Sequence, residues 1–149
     1  MEMSISVVKG HGSMSHNNRD FITPNVDLDR VKDNIIYKCE PLEQAYKYCF
    51  SQAIEEYNLK QKRADRRIDG ITGYMAQIRN SKNGEKLYYE TVIQIGNKFD
   101  CSVGSIKADL AKRVLNDFMQ DFSERNPNLY VFNAVLHMDE ATPHLHIDY

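Results

Sequence analysis

The chain has 149 residues, of which 42% are hydrophobic, and a net charge of −2; that length and composition suit one folded domain over residues 1–149 with its own apolar core, not a disordered segment. The opening MEMSISVVKG has no apolar signal core and no run of eighteen apolar residues occurs anywhere, which argues against secretion and membrane insertion. Three cysteines without CxxC spacing, Cys39, Cys49 and Cys101, fit reduced thiols acting as small hydrophobes in a cytoplasmic protein and argue against disulfides or a zinc knuckle.

In chain order, Ile5 to Val8 reads as a short strand and Gly10 to Ser13 as a loop. Ser15-His16-Asn17-Asn18-Arg19-Asp20 is a dense polar cluster, expected as a flexible loop. It offers a nucleophile or base beside a cation for a phosphate, although such loops are common without any catalytic role. Asn34 to Lys38 reads as a strand. After Pro41, the positions Leu42, Tyr46, Cys49, Phe50, Ala53 and Tyr57 recur at helical spacing, which predicts a helix of about twenty residues.

From Lys60 to Lys86 there are eight basic residues against three acidic ones, a local charge of +5 in a chain that is otherwise acidic. A charge run is usually a solvated face, yet one this concentrated can track a phosphate backbone, and Lys60, Lys62, Arg63, Arg66, Arg67 and Lys82 are the candidate DNA contacts. Ile68 to Ile78 continue at helical spacing, with Gly70 and Gly73 each expected to weaken the helix by about 1 kcal/mol. Leu87 to Ile95 is rich in β-branched and aromatic residues and reads as one long strand. Ile106, Leu110, Val114, Phe118 and Phe122 form an apolar stripe predicting a helix that Ser105 can cap and that ends before Pro127. Tyr130 to His137 and His144 to Tyr149 read as two strands reversed by the Met138 to Pro143 link. Helices interspersed with strands and a tight reversal predict an α+β fold, an antiparallel sheet covered by helices.

The last thirteen residues, HMDEATPHLHIDY, hold three of the five histidines. On a strand, His144, His146 and Asp148 share one face and Leu145, Ile147 and Tyr149 the other. Two histidines at i and i+2 can converge on one divalent ion, and an antiparallel partner strand would bring His137 to them as a third ligand. A lone histidine on such a strand is more often a satisfied polar residue, but three within ten positions, with Asp139, Glu140 and Asp148 interspersed, favour a metal site.

HxDExTPHxH, here His137-Met138-Asp139-Glu140-Ala141-Thr142-Pro143-His144-Leu145-His146, resembles the third motif of the MobV relaxases, the Mob/Pre plasmid mobilisation and recombination proteins of the HUH endonuclease class. His16-Asn17-Asn18-Arg19 looks like their HNxR first motif. Asn25 to Arg30 with Lys32-Asp33-Asn34 resemble a second conserved region, and Gln61 to Arg67 with Gln94-Ile95-Gly96-Asn97 resemble one branch of the family. The resemblance covers nearly the whole chain. It implies an HUH relaxase-like fold, a manganese or magnesium ion (zinc in purified protein) on His137, His144 and His146, and His16 as the nucleophile where most relaxases use tyrosine. Arg19 would then orient or neutralise the scissile phosphate.

The implied activity is site- and strand-specific nicking and strand transfer on single-stranded or hairpin origin-of-transfer DNA, with plasmid-transfer machinery as a further partner. Glu140 is the candidate for accepting a proton or orienting His16, and Asp139 and Asp148 are candidates for holding the outer nitrogens of the ligand histidines. Relaxase domains of this kind normally continue past the histidine strand, whereas this sequence stops at Tyr149, so the resemblance implies a domain truncated at its C-terminus and lacking helices that help grip DNA. Two alternatives stay open. One is a zinc hydrolase, because His144-Leu145-His146-Ile147-Asp148 resembles the HxHxD start of the metallo-β-lactamase motif, although Tyr149 stands where that motif wants histidine. The other is a non-catalytic DNA-binding or metal-stabilised module.

Overall fold

The structure is a computed structural model that describes residues 3–149; Met1 and Glu2, which open the segment read as lacking a signal core, lie outside it. The chain divides into two compact units, Met1–Cys39 with Tyr89–Tyr149, and Glu40–Tyr88.

The first unit is built on a five-stranded sheet in which every neighbouring pair is antiparallel. Its spatial order is β1 (Ile5–Lys9), β3 (Glu90–Ile95), β5 (His144–Asp148), β4 (Asn133–His137) and β2 (Ile35–Cys39). The expected α+β class is the one found. Alternation along the three central strands separates two chemistries. Ile93, Ile95, Ala134, Leu136, Leu145 and Ile147 point to one side and form the apolar core. Glu90, Asn133, Val135, His137, His144, His146 and Asp148, which are matched across the ladders, point to the other. Over the polar face lies the short helix α1 (Met14–Asn17), whose Asn17 is buried.

The core face is covered by α4 (Ile106–Gln120), capped by Ser105, whose hydroxyl accepts from the Ala108 amide at 3.2 Å. The buried residues of α4 are Ala108, Ala111, Leu115 and Met119, joined by Phe122 from α5 (Phe122–Arg125). This corrects the expected stripe, since Ile106 is 86% exposed and Leu110 and Val114 are also at the surface. Consecutive i, i+4 positions drift about 40° around a helix of 3.6 residues per turn. A row drawn through 106, 110, 114, 118 and 122 therefore winds from solvent to core. The two alanines, without bulk, let the helix axis come close to the sheet.

Two strands are shorter than expected. β3 begins at Glu90, not Leu87, and β4 at Asn133, not Tyr130. Both start where β5 runs out of residues to pair, at Asp148 opposite Glu90 and Asn133. Tyr89 still exchanges two backbone hydrogen bonds with Tyr149, at 2.8 and 2.9 Å.

The second unit pairs α2 (Leu42–Lys60) with α3 (Gly70–Arg79), and both helices fall where periodicity placed them. Tyr46, Phe50 and Tyr74 form a ring cluster with centroids 5.2 to 6.1 Å apart. Asn58 clamps the Ile68 amide and carbonyl, each at 2.8 Å. Gly70 opens α3 at φ +61°, so it makes a turn that a Cβ would strain and does not weaken the helix interior. Cys49 and Tyr57 of the expected stripe face solvent. Among the cysteines only Cys101 is a buried small hydrophobe, while Cys39 and Cys49 are exposed.

Candidate active site

The β4–β5 register sets His137 directly opposite His144, with His146 next along the same face. All three are buried, and one ring nitrogen from each lies within 4.8 Å of the others. Their tautomers follow from partners that can only accept. His137 Nε2–H donates to the Asn17 carbonyl at 2.8 Å, His144 Nδ1–H to the Thr142 carbonyl at 2.8 Å, and His146 Nδ1–H to Glu90 Oε1 at 2.6 Å. Each remaining nitrogen carries a lone pair. His137 Nδ1 and His144 Nε2 meet at 3.3 Å, and His146 Nε2 is buried with no hydrogen-bond partner.

Lone pairs that close repel unless a cation sits between them. Burial, reinforced by the neighbouring histidines, pushes His137 down to about 3 and also lowers His144. Neutral imidazoles with fixed outer nitrogens present three lone pairs to one point, a donor set that can hold a divalent metal ion, so these residues fit one.

The outer nitrogens correct an expectation. Asp139 and Asp148 do not hold the outer nitrogens of the three clustered histidines; Glu90 and two backbone carbonyls do. Asp148 accepts from Asn133 at 2.8 Å and Asn17 at 3.3 Å, because the pleat places it one pair beyond His146. Asp139 turns to Arg19 and Asn34. Glu90 Oε1 also accepts from Asn17 Nδ2 at 2.6 Å, and Oε2 from the Gly12 amide at 2.8 Å. Burial alone would raise this carboxyl, but hydrogen bonds from His146, Gly12 and Asn17 outweigh it and hold Glu90 at about 2. At Gly10 a Cβ would collide with the Glu90 carboxylate.

His16 sits on α1, not in a flexible loop. The helix closes with Arg19 N–H to the His16 carbonyl at 3.2 Å and Asp20 N–H to the Ser15 carbonyl at 2.9 Å. This is a Schellman turn whose left-handed position is Arg19, at φ 59°, where glycine is usual. The strain is about 1 kcal/mol. Opposing it, Arg19 Nε and a terminal nitrogen donate to Asp139 at 2.8 and 2.6 Å and that nitrogen also reaches Glu140 Oε1 at 2.8 Å. Burial would lower the Arg19 pKa, yet its bonds to Asp139 and Glu140 raise it.

His16 Nε2 lies 3.4 Å from Glu140 Oε1 and 3.4 Å from the other Arg19 terminal nitrogen. Its ring centroid is 6.0 Å from that of His137 and 6.4 Å from that of His146. Asn25 donates to Glu140 Oε2 at 2.8 Å and Asn34 to Asp139 at 2.7 Å. The chain thus assembles His16, Arg19, Glu140, His137, His144 and His146 in one cluster. No local pattern marks Glu90, which lies 56 residues before His146 as the first residue of an ordinary strand.

Lys60, Lys62, Arg63, Arg66, Arg67 and Lys82 are all exposed and belong to the second unit. Arg63 pairs with Asp65 at 2.7 Å and Arg67 donates to the Gln61 carbonyl at 3.2 Å. Tyr37, Tyr46 and Tyr149 place their hydroxyls on Asn116, the Leu87 carbonyl and Thr91. Among the described residues, no helix is long and apolar enough to cross a membrane.

Solved structures of the MobM relaxase domain (MOBV; Mob_Pre) share this fold. With plasmid pMV158 oriT DNA and manganese bound at pH 5.5, that domain is 20% identical and superposes with a TM-score of 0.54, over 99% of this chain and 69% of that one. With a 3′-thiophosphate DNA at pH 6.8, the values are 18% and 0.51 over the same shares. No curated protein matches the chain. Residues 7–149 match the Mob_Pre family, described as plasmid recombination enzyme. With that match spanning nearly its whole length, the chain belongs to the Mob_Pre plasmid recombination enzymes.

Proposed function

We propose that residues 1–149 are the N-terminal relaxase domain of a cytoplasmic enzyme that nicks single-stranded or hairpin origin-of-transfer DNA and later rejoins it. The observation that carries this reading is the convergence of three inward-facing histidine nitrogens, one of them buried without a partner, beside His16. The MobM domain with the same fold carries manganese and oriT DNA, which supports manganese or magnesium on His137, His144 and His146. When bound, such an ion polarises the phosphodiester and offsets charge growing on its non-bridging oxygens.

The chain's own groups carry the remaining steps. A ring nitrogen of His16 attacks phosphorus and the bond to O3′ breaks. The products are a phosphoramidate on the 5′ end and a free 3′-hydroxyl, and the intermediate conserves the bond for rejoining. Glu140 takes the proton released from the imidazole and passes it to the departing O3′, which leaves as the hydroxyl. Arg19, tied to Asp139 and Glu140, holds that carboxylate against His16, with one terminal nitrogen turned to the nucleophile. Lys60, Lys62, Arg63, Arg66, Arg67 and Lys82 add salt-sensitive affinity for the phosphate backbone. Unchanged binding at low salt by a variant with Lys62, Arg63, Arg66 and Arg67 all replaced by Ala would remove them from that role.

The deciding experiment is nicking of a labelled single-stranded oligonucleotide with and without manganese, followed by mass spectrometry of the trapped adduct. The nucleotide is expected on His16, through an acid-labile link. His16→Ala should lose the adduct while keeping its fold and metal affinity. A stable adduct on a tyrosine, or full yield from His16→Ala, overturns the mechanism. Metal binding without any cleavage by the wild type would favour the non-catalytic module.

A further inference from the structure

Beyond the Schellman turn come two large apolar residues in succession. Phe21 is 49% exposed and Ile22 46%. The Phe21 ring centroid is 6.1 Å from that of His16, with the planes inclined by 48°. Its position is fixed from behind. Asp20 is bonded to the Ser15 carbonyl, and Arg19, one residue earlier, is clamped by two carboxylates. What sets Phe21 apart from the chain's other exposed apolar residues is its place, a half-exposed aromatic face held beside His16.

We propose that Phe21 is a stacking platform for the nucleobase flanking the scissile phosphate, with Ile22 as its apolar shoulder. The proposal rests on the relaxase reading, and it adds a binding residue to it. A phosphate attacked by His16 has its neighbouring bases one sugar away, so an aromatic face beside His16 is within reach of one of them. In single-stranded DNA that base has lost a stacking neighbour, and an aromatic side chain replaces it for any base, since every base has a π-face. Stacking there anchors the nucleotide and so restrains the adjoining phosphate at His16. The contact contributes affinity and alignment, and sequence preference comes from elsewhere.

The chain contains no tryptophan, so Phe21→Trp introduces a single reporter. With manganese present, titration of this variant with oligothymidine should quench its emission while affinity stays near that of the wild type. Phe21→Ala and Phe21→Leu should each bind the oligonucleotide about tenfold more weakly, with melting temperature and manganese affinity unchanged. Leucine keeps the apolar bulk and lacks the π-face, so a Leu variant that binds like wild type assigns Phe21 to packing and overturns the proposal. Unquenched emission with undiminished affinity in Phe21→Ala overturns it as well, and leaves the relaxase reading standing. Failure of the wild type to bind single-stranded DNA overturns both.

Discussion

Glu90 accepts from His146, Asn17 and the Gly12 amide at once, tying one histidine of the cluster to the helix that carries His16. Removing a carboxylate that orients a ligand histidine typically costs 10- to 100-fold in metal affinity. Glu90→Ala is therefore expected to weaken manganese binding by about that factor in isothermal titration. Glu90→Gln, whose amide oxygen still accepts from His146 Nδ1, should lose much less. Equal affinities for wild type and the Ala variant would strip Glu90 of this role. Arg19 offers a second test in which two effects oppose. Arg19→Gly relieves about 1 kcal/mol of left-handed strain but leaves the fully buried Asp139 without its cation, a loss of about 3–5 kcal/mol. The larger effect should win, giving net destabilisation of about 2 kcal/mol or more by urea denaturation, and a stabilised variant would refute the clamp. Neither residue's partners were legible locally, because each is fixed by contacts with segments far along the chain.

Helix α4 shows what periodicity delivers and what it does not. Its end was not readable, since the stripe through Phe122 implied one helix where α4 stops at Gln120 and α5 follows, but its existence and its Ser105 cap were readable from residue types and spacing. Its buried face was not, because Ala108 and Ala111 carry little hydrophobic signal while Ile106 carries much. Only the approach to the sheet decides that the alanines lie inside. Leu115→Ala, at a core position 1% exposed, should cost about 2–4 kcal/mol. Ile106→Ala should stay within about 0.5 kcal/mol of wild type. Denaturant midpoints with unchanged slopes check both, and a large loss at Ile106 would contradict the helix orientation.

For the whole molecule, the buried site couples stability to pH. His137 titrates at about 3 when folded against an ordinary 6.5, held down by burial and its histidine neighbours. Glu90 titrates at about 2 against 4.5, because its hydrogen bonds outweigh burial. In both cases the unfolded chain takes up protons that the folded one refuses, so stability falls on acidification. His137's contribution is complete above 6.5 and declines as pH drops toward 3, and that of Glu90 is complete above 4.5 and declines toward 2. Urea midpoints of the metal-free protein should fall between pH 7 and pH 4, and a flat profile would contradict these environments. Manganese should raise the midpoint at pH 7, since it binds the folded site and not the unfolded chain. Sequence alone determined the order of the strands and of the three long helices, the α+β class and the HxDExTPHxH hairpin, because pleat alternation and turn chemistry act over a few residues. Tertiary structure decided that Glu90, and neither Asp139 nor Asp148, holds His146, and that Arg19 faces two carboxylates. It also decided which side of α4 is buried. Each of these depends on which distant segments share a sheet face, and strand pairing sets that over separations that no local pattern encodes.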